Sequence, residues 1–159
     1  MLMKLLAIFE RSPTLTSRLL DVVQPGDPPQ AIVRKARSII SSFPEGELVA
    51  TLNAHPRIGD DVRELSELSL REQGSDQDPA ALAELGRLNE EYERRFGFRF
   101  VVFVNGRSKP QIVPVLRDRL ARSREAELRT GIEEFLAISL DRLQRAESQV
   151  TARATESGT

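Results

Sequence analysis

The chain has 159 residues, with 23 Lys and Arg against 24 Asp and Glu, and is 40% hydrophobic and 30% charged. That composition fits one globular domain with its own core, and it excludes a disordered polymer and the basic excess of a nucleic-acid surface. With no cysteine and one histidine, disulfides, thiolate catalysis, zinc–cysteine sites and a multi-histidine metal site within one chain are excluded as well.

Helix signals dominate the chain from its start. Residues 1–9 are apolar with one lysine and meet Glu10 and Arg11 at once, which predicts a short helix over 2–10 rather than a signal peptide. Ser12-Pro13 reads as an N-cap with proline in the first turn, opening a helix to about 23. A turn at 24–27 leads to a helix started by Asp27-Pro28-Pro29, whose face is Ile32, Val33, Ala36, Ile39, Ile40 and Phe43. Residues 44–46 break it, and 47–53 form the next helix. That one ends at His55-Pro56, because the residue before proline avoids helical backbone.

A loop at 59–61 precedes an expected helix over 62–73, with Leu65, Leu68 and Ser69 on one face. After a break at 74–78, Asp78-Pro79 starts a long helix through Leu82, Leu85, Leu88, Asn89, Tyr92 and Phe96, closed by Gly97. Residues 98–104 have strand propensity but no second strand to pair with, so they read as a buried extended connector whose peptide groups need partners. A ligand could supply some of them.

Ser108 caps a helix to about 123, in which Pro114 predicts a kink or a true start near the proline. The last helix covers about 125–147 with Leu128, Ile132, Phe135, Leu136, Leu140 and Leu143 inward, and 149–159 reads as a disordered tail. The expectation is an all-α bundle of seven to eight helices in one domain over 1–148. No run is apolar enough to span a membrane, so a cytoplasmic protein is the default.

Four features could carry chemistry. His55 stands at a helix exit made rigid by Pro56, and an unperturbed imidazole exchanges a proton near neutral pH. For a lone histidine taken by itself, a structural role or a helix-end cap is the commoner one. Ser69, Glu72 and Gln73 lie three and four apart, so a hydroxyl, a carboxylate and an amide share one helix face. There they bind a polar small molecule, or they are a solvated face. Phe100, Val101, Val102, Phe103 and Val104 offer backbone donors and acceptors, or only core packing. Arg142, next to the inward Leu143, offers a fork for a carboxylate, or is one surface arginine among many.

Taken in order, these residues resemble the family of 2-oxo-4-hydroxy-4-carboxy-5-ureidoimidazoline (OHCU) decarboxylases. The resemblance is carried by Phe9-Glu10-Arg11-Ser12-Pro13, by Ala54-His55-Pro56-Arg57-Ile58-Gly59 and by Ser69-Leu70-Arg71-Glu72-Gln73. It continues in Leu88-Asn89-Glu90-Glu91-Tyr92, in Arg95-Phe96-Gly97-Phe98-Arg99-Phe100, and in the pairs Arg119-Leu120 and Arg142-Leu143. It covers roughly residues 5–145.

The resemblance implies an all-α, cofactor-free and metal-free enzyme, often a homodimer, that decarboxylates OHCU to (S)-allantoin in urate degradation. By match of motif, His55 donates the proton with help from Glu72. Pro56, Ser69, Gln73 and backbone from Phe100 to Val104 hold the ureidoimidazoline, and Arg142 meets its anionic end. The chain departs from the family's pattern at Leu68, where many members have tryptophan, at Pro114, and in lacking a peroxisomal C-terminus. A hydrolase of a related ureide and a catalytically inactive helical interaction module are the rival readings.

Overall fold

The computed structural model describes residues 2–10, 12–59, 67–73 and 78–158. Among them the ordered elements are all helices: α1 (Leu2–Ile8), α2 (Pro13–Val22), α3 (Pro29–Ile40), α4 (Glu45–Asn53), α5 (Glu67–Gln73), α6 (Pro79–Phe96), α7 (Lys109–Leu120) and α8 (Arg124–Ser157). The all-α fold class expected from helical periodicity is the one observed. The backbone groups into two compact units, Met1–Ser42 with Leu136–Thr159, and Phe43–Phe135.

In the first unit, α2 begins at Pro13 behind Ser12, as the Ser-Pro pair requires, although the Ser12 hydroxyl makes no cap bond. The Ser12 carbonyl instead accepts from Thr16 Oγ1 at 2.8 Å. Helix α3 buries Val33, Ala36 and Ile40, one stripe of the predicted face. The turn between α2 and α3 closes on Asp27, whose carboxylate accepts from the Gln24 N–H (2.8 Å) and Lys35 Nζ (2.6 Å). Lys35 also takes the Val22 carbonyl, at 2.8 Å, one of the orphan acceptors at the end of α2. The last turns of α8 stay helical to Ser157, where a disordered tail over 149–159 was expected. They carry no proline or glycine before Gly158, so propensity alone can continue the helix, and these added turns are exposed.

In the second unit, α4 starts at Glu45 rather than 47. Pro44 sits at the cap, where a missing N–H costs nothing, and Gly46 falls in an exposed first turn. Of the helix expected over 62–73, residues 60–66 (Leu65 among them) lie outside the described residues, as do 74–77 of the expected break. Helix α6 has both predicted ends: Asp78 Oδ1 accepts from the N–H groups of Ala80 (3.1 Å) and Ala81 (3.2 Å), and Gly97 closes it at φ +80°. Helix α7 is continuous through Pro114 and starts at Lys109, not near the proline. The carbonyl that Pro114 deprives of a donor is that of Pro110 in the first turn, and Pro114 is exposed, so the helix absorbs the defect at its edge.

The core of this unit is aromatic. Tyr92, Phe96, Phe98 and Phe100 are buried, and the Tyr92 ring lies 4.6 Å from Phe96 and 5.4 Å from Phe100, centroid to centroid. Gly131 lies within helix α8, where a Cβ would stand 3.1 Å from Leu52 Cδ1. Close packing of α4 on α8 thus offsets the propensity cost of about 1 kcal/mol. Residues 98–104 run as an irregular connector with Phe98, Phe100, Val101, Val102 and Val104 buried, as anticipated.

Candidate active site

His55 follows Ala54, the C-cap of α4, and is 6% exposed. Its N–H still donates to the Leu52 carbonyl (3.1 Å), a last tightened turn before Pro56 ends helical backbone. The imidazole meets the Phe135 ring edge to face, with centroids 5.2 Å apart and planes at 81°. On the backbone side, Arg99 Nη1 donates to the carbonyls of His55 (2.9 Å) and Asn53 (3.1 Å), while the Arg99 N–H donates to Asn53 Oδ1 (2.9 Å). The helix exit carrying the histidine is therefore fixed by proline, by an arginine fork and by an aromatic ring.

The segment after His55 is held from α5 and α6. Gln73 Nε2 donates to the Arg57 carbonyl (3.3 Å), and its Oε1 accepts from the Gly59 N–H (3.0 Å). Asn89, 1% exposed, donates through Nδ2 to the Ile58 carbonyl (3.1 Å). The Arg57 guanidinium lies across the Glu93 carboxylate, Nε to Oε1 at 3.2 Å and Nη2 to Oε2. Gly59 has φ +89°, where an L side chain is strained, and a Cβ would meet Leu82 at 3.4 Å. Gln73 therefore places α5 against the backbone that leaves His55, with Ser69 buried and Glu72 and Gln73 half-buried on that helix.

The connector's carbonyls are claimed by arginines. Arg119 Nη1 donates to the Val101 carbonyl (2.6 Å), Arg107 Nη2 to Phe103 (2.6 Å) and Arg107 Nε to Val104 (3.0 Å). Burial pushes the carboxyl of Glu134, on α8, above the ordinary value. Arg119 is itself seated on Glu127, which is fully buried and accepts from Arg119 Nε (2.7 Å), Arg122 Nη1 (3.0 Å) and the Tyr92 hydroxyl (2.7 Å). Burial and the neighbouring Glu127 carboxylate drive the Tyr92 phenol well above its usual value.

Arg142 lies in the first unit and is 3% exposed. Its Nη1 donates to Glu10 Oε2 (2.6 Å) and to the carbonyls of Ala7 (3.0 Å) and Ile8 (3.3 Å) in the last turn of α1. Among the described residues no group of His, Asp and Glu is placed to hold a metal ion, and no helix is long and apolar enough to cross a membrane. Residue-by-residue reading gave no roles to Arg99, Asn89, Arg119 and Glu127. The one usable signal was Asn89, a polar residue within the apolar stripe of α6.

Known proteins resemble this chain in sequence and in fold. Residues 2–144 match the family model described as OHCU decarboxylase. A uric acid degradation bifunctional protein of Bacillus sp. (strain TB-90) is 28% identical over 145 residues, 86% of this chain but only 28% of that protein's length. The 2-oxo-4-hydroxy-4-carboxy-5-ureidoimidazoline decarboxylase of Halalkalicoccus jeotgali is 28% identical over 141 residues, 86% of this chain and 79% of the relative. In fold, the chain resembles an OHCU decarboxylase crystallised in the presence of (S)-allantoin, with a TM-score of 0.75 and 22% identity over 91% of this chain and 98% of that one. With residues 2–144, most of its length, matched by the family model, the chain belongs to the OHCU decarboxylase family.

Proposed function

We propose that this protein decarboxylates OHCU to (S)-allantoin, with His55 as the general acid. The observation that carries the reading is the seating of the one histidine. It is buried at a proline-fixed helix exit, and Gln73 ties the Ser69–Glu72–Gln73 helix to the segment that follows it. The relatives named above supply the substrate class.

The chemistry asks little else of the protein. The carbon–carboxylate bond breaks beside a C=N bond, which takes the electron pair as a new C=C bond while the nitrogen gains the negative charge. Protonation of the ureido-bearing carbon on one face, with transfer of the enol hydroxyl proton to the charged ring nitrogen, then gives the carbonyl and the stereocentre of allantoin. The substrate is its own electron sink. The residues need to orient the carboxylate, exclude water and deliver one proton to one face. A rigid imidazole can do the last, for roughly 10²–10⁴-fold in rate.

In this reading Glu72 polarises His55, while Ser69, Pro56, Gln73 and the backbone of Phe100, Val101, Val102, Phe103 and Val104 hold the ring and the ureido group. Arg142 meets the anionic end. A homodimer in the cytoplasm completes the proposal. The test is to supply freshly generated OHCU and follow optical rotation and carbon dioxide. The reading expects (S)-allantoin to form faster than the spontaneous, racemic reaction. Racemic product at the uncatalysed rate, or hydrolysis of a ureide without carbon dioxide release, would count against it.

A further inference from the structure

We propose that Arg119, seated on Glu127, is a positioning residue that aims the Val102 peptide N–H at the substrate. The inference rests on the reading of residues 100–104 as substrate-binding backbone and adds the device that fixes its direction. In a planar trans peptide the carbonyl and the following N–H point in opposite directions. Whatever holds the Val101 carbonyl therefore sets where the Val102 N–H points. Arg119 Nη1 holds that carbonyl at 2.6 Å, and among the described residues no acceptor meets the Val102 N–H.

The clamp is stiff for three reasons. The guanidinium is planar, so its bond through Nε to Glu127 Oε1 (2.7 Å) fixes the direction of Nη1. It lies over the Phe100 ring, 4.6 Å from the centroid, which sets the tilt of its plane. Glu127 cannot drift, since Tyr92 and Arg122 also donate to it. A buried carboxylate and arginine used only for stability would be a poor choice, because an apolar pair of similar volume often serves as well. Arg119 Nη2 is moreover buried with no hydrogen-bond partner among the described residues, a cost accepted in this arrangement. Aiming a peptide group is a task that an apolar pair cannot perform.

The experiment is an NMR titration of the ¹⁵N-labelled protein with (S)-allantoin, read at the Val102 amide, together with steady-state kinetics. In the wild type the Val102 amide shifts on titration. In Arg119→Lys, whose single ammonium cannot span Glu127 and the Val101 carbonyl in fork geometry, the dissociation constant rises and kcat/KM falls about 10- to 100-fold, mostly through KM. Glu127→Gln, which keeps the shape but loosens the arginine, shifts both in the same direction by less, and it carries the test should the lysine variant fail to fold. A wild-type Val102 amide that ignores (S)-allantoin overturns the substrate-binding reading of the connector and this inference together. A wild-type response that both variants retain at unchanged affinity overturns this inference alone.

Discussion

His55 and Phe135 meet edge to face, their ring centroids 5.2 Å apart and their planes at 81°. The contact joins the end of α4 to α8 and confines the imidazole. Phe135→Leu keeps most of the volume and removes the ring. It is expected to cost about 1–2 kcal/mol in chemical denaturation, the sum of a lost aromatic pair and imperfect repacking. A less confined histidine should also lower kcat about 10-fold. A variant that loses the stability but keeps kcat would show that other contacts orient the ring.

Tyr92 is the only tyrosine and the chain has no tryptophan, so its ionisation can be followed directly by tyrosinate absorbance. Burial and Glu127 raise its folded value above that of the unfolded chain, near 10. The sign follows: its contribution to stability is intact below about pH 10 and is lost as pH rises further, because only the unfolded chain ionises there. The slope is about 1.4 kcal/mol per pH unit. Tyrosinate absorbance should thus appear together with unfolding. Tyr92→Phe should be less stable at neutral pH by about 1–3 kcal/mol, for the lost bond to a charged acceptor, and should lose stability less steeply in alkali. Tyrosinate forming near pH 10 in folded protein would contradict the buried network.

Arg142 binds Glu10 and caps α1. Arg142→Met takes the guanidinium away from a buried carboxylate and should destabilise by roughly 3–5 kcal/mol, while Arg142→Met combined with Glu10→Met should recover much of that loss. If Arg142 also meets the anionic end of the substrate, the recovered double variant will fold yet show a raised KM. Restored folding with an unchanged KM would confine Arg142 to its structural task.

Local signals told most of the fold. Asp78-Pro79 and Gly97 bound α6, and residues 98–104 form a largely buried connector, because caps, glycine at positive φ and apolar runs act over a few residues. The start of α4 was hidden because Pro-Glu-Gly resembles a break, although proline is harmless at a cap. Glu127 illustrates what was not legible. Its surroundings, Arg122-Ser123-Arg124-Glu125, read as a solvated surface. Its burial makes sense only when Tyr92 from α6 and Arg119 from α7 arrive in space. Pairing across distant helices leaves no period in the sequence. His55 and Gln73 were legible as candidates, but the bond from Gln73 to the Gly59 N–H needed the fold.

Glu72→Gln keeps shape and hydrogen bonding but removes charge. If Glu72 polarises His55, the variant should lose about 10²-fold in kcat with little change in KM. A full kcat would make it a positioning group for substrate instead.

The most direct test is turnover of freshly generated OHCU by His55→Ala, with folding checked by circular dichroism and the product resolved by enantiomer. The imidazole as sole proton donor predicts a fall of at least ~100-fold in kcat and loss of (S) excess in the residual product. Wild-type rate with intact (S) selectivity in that variant would contradict it.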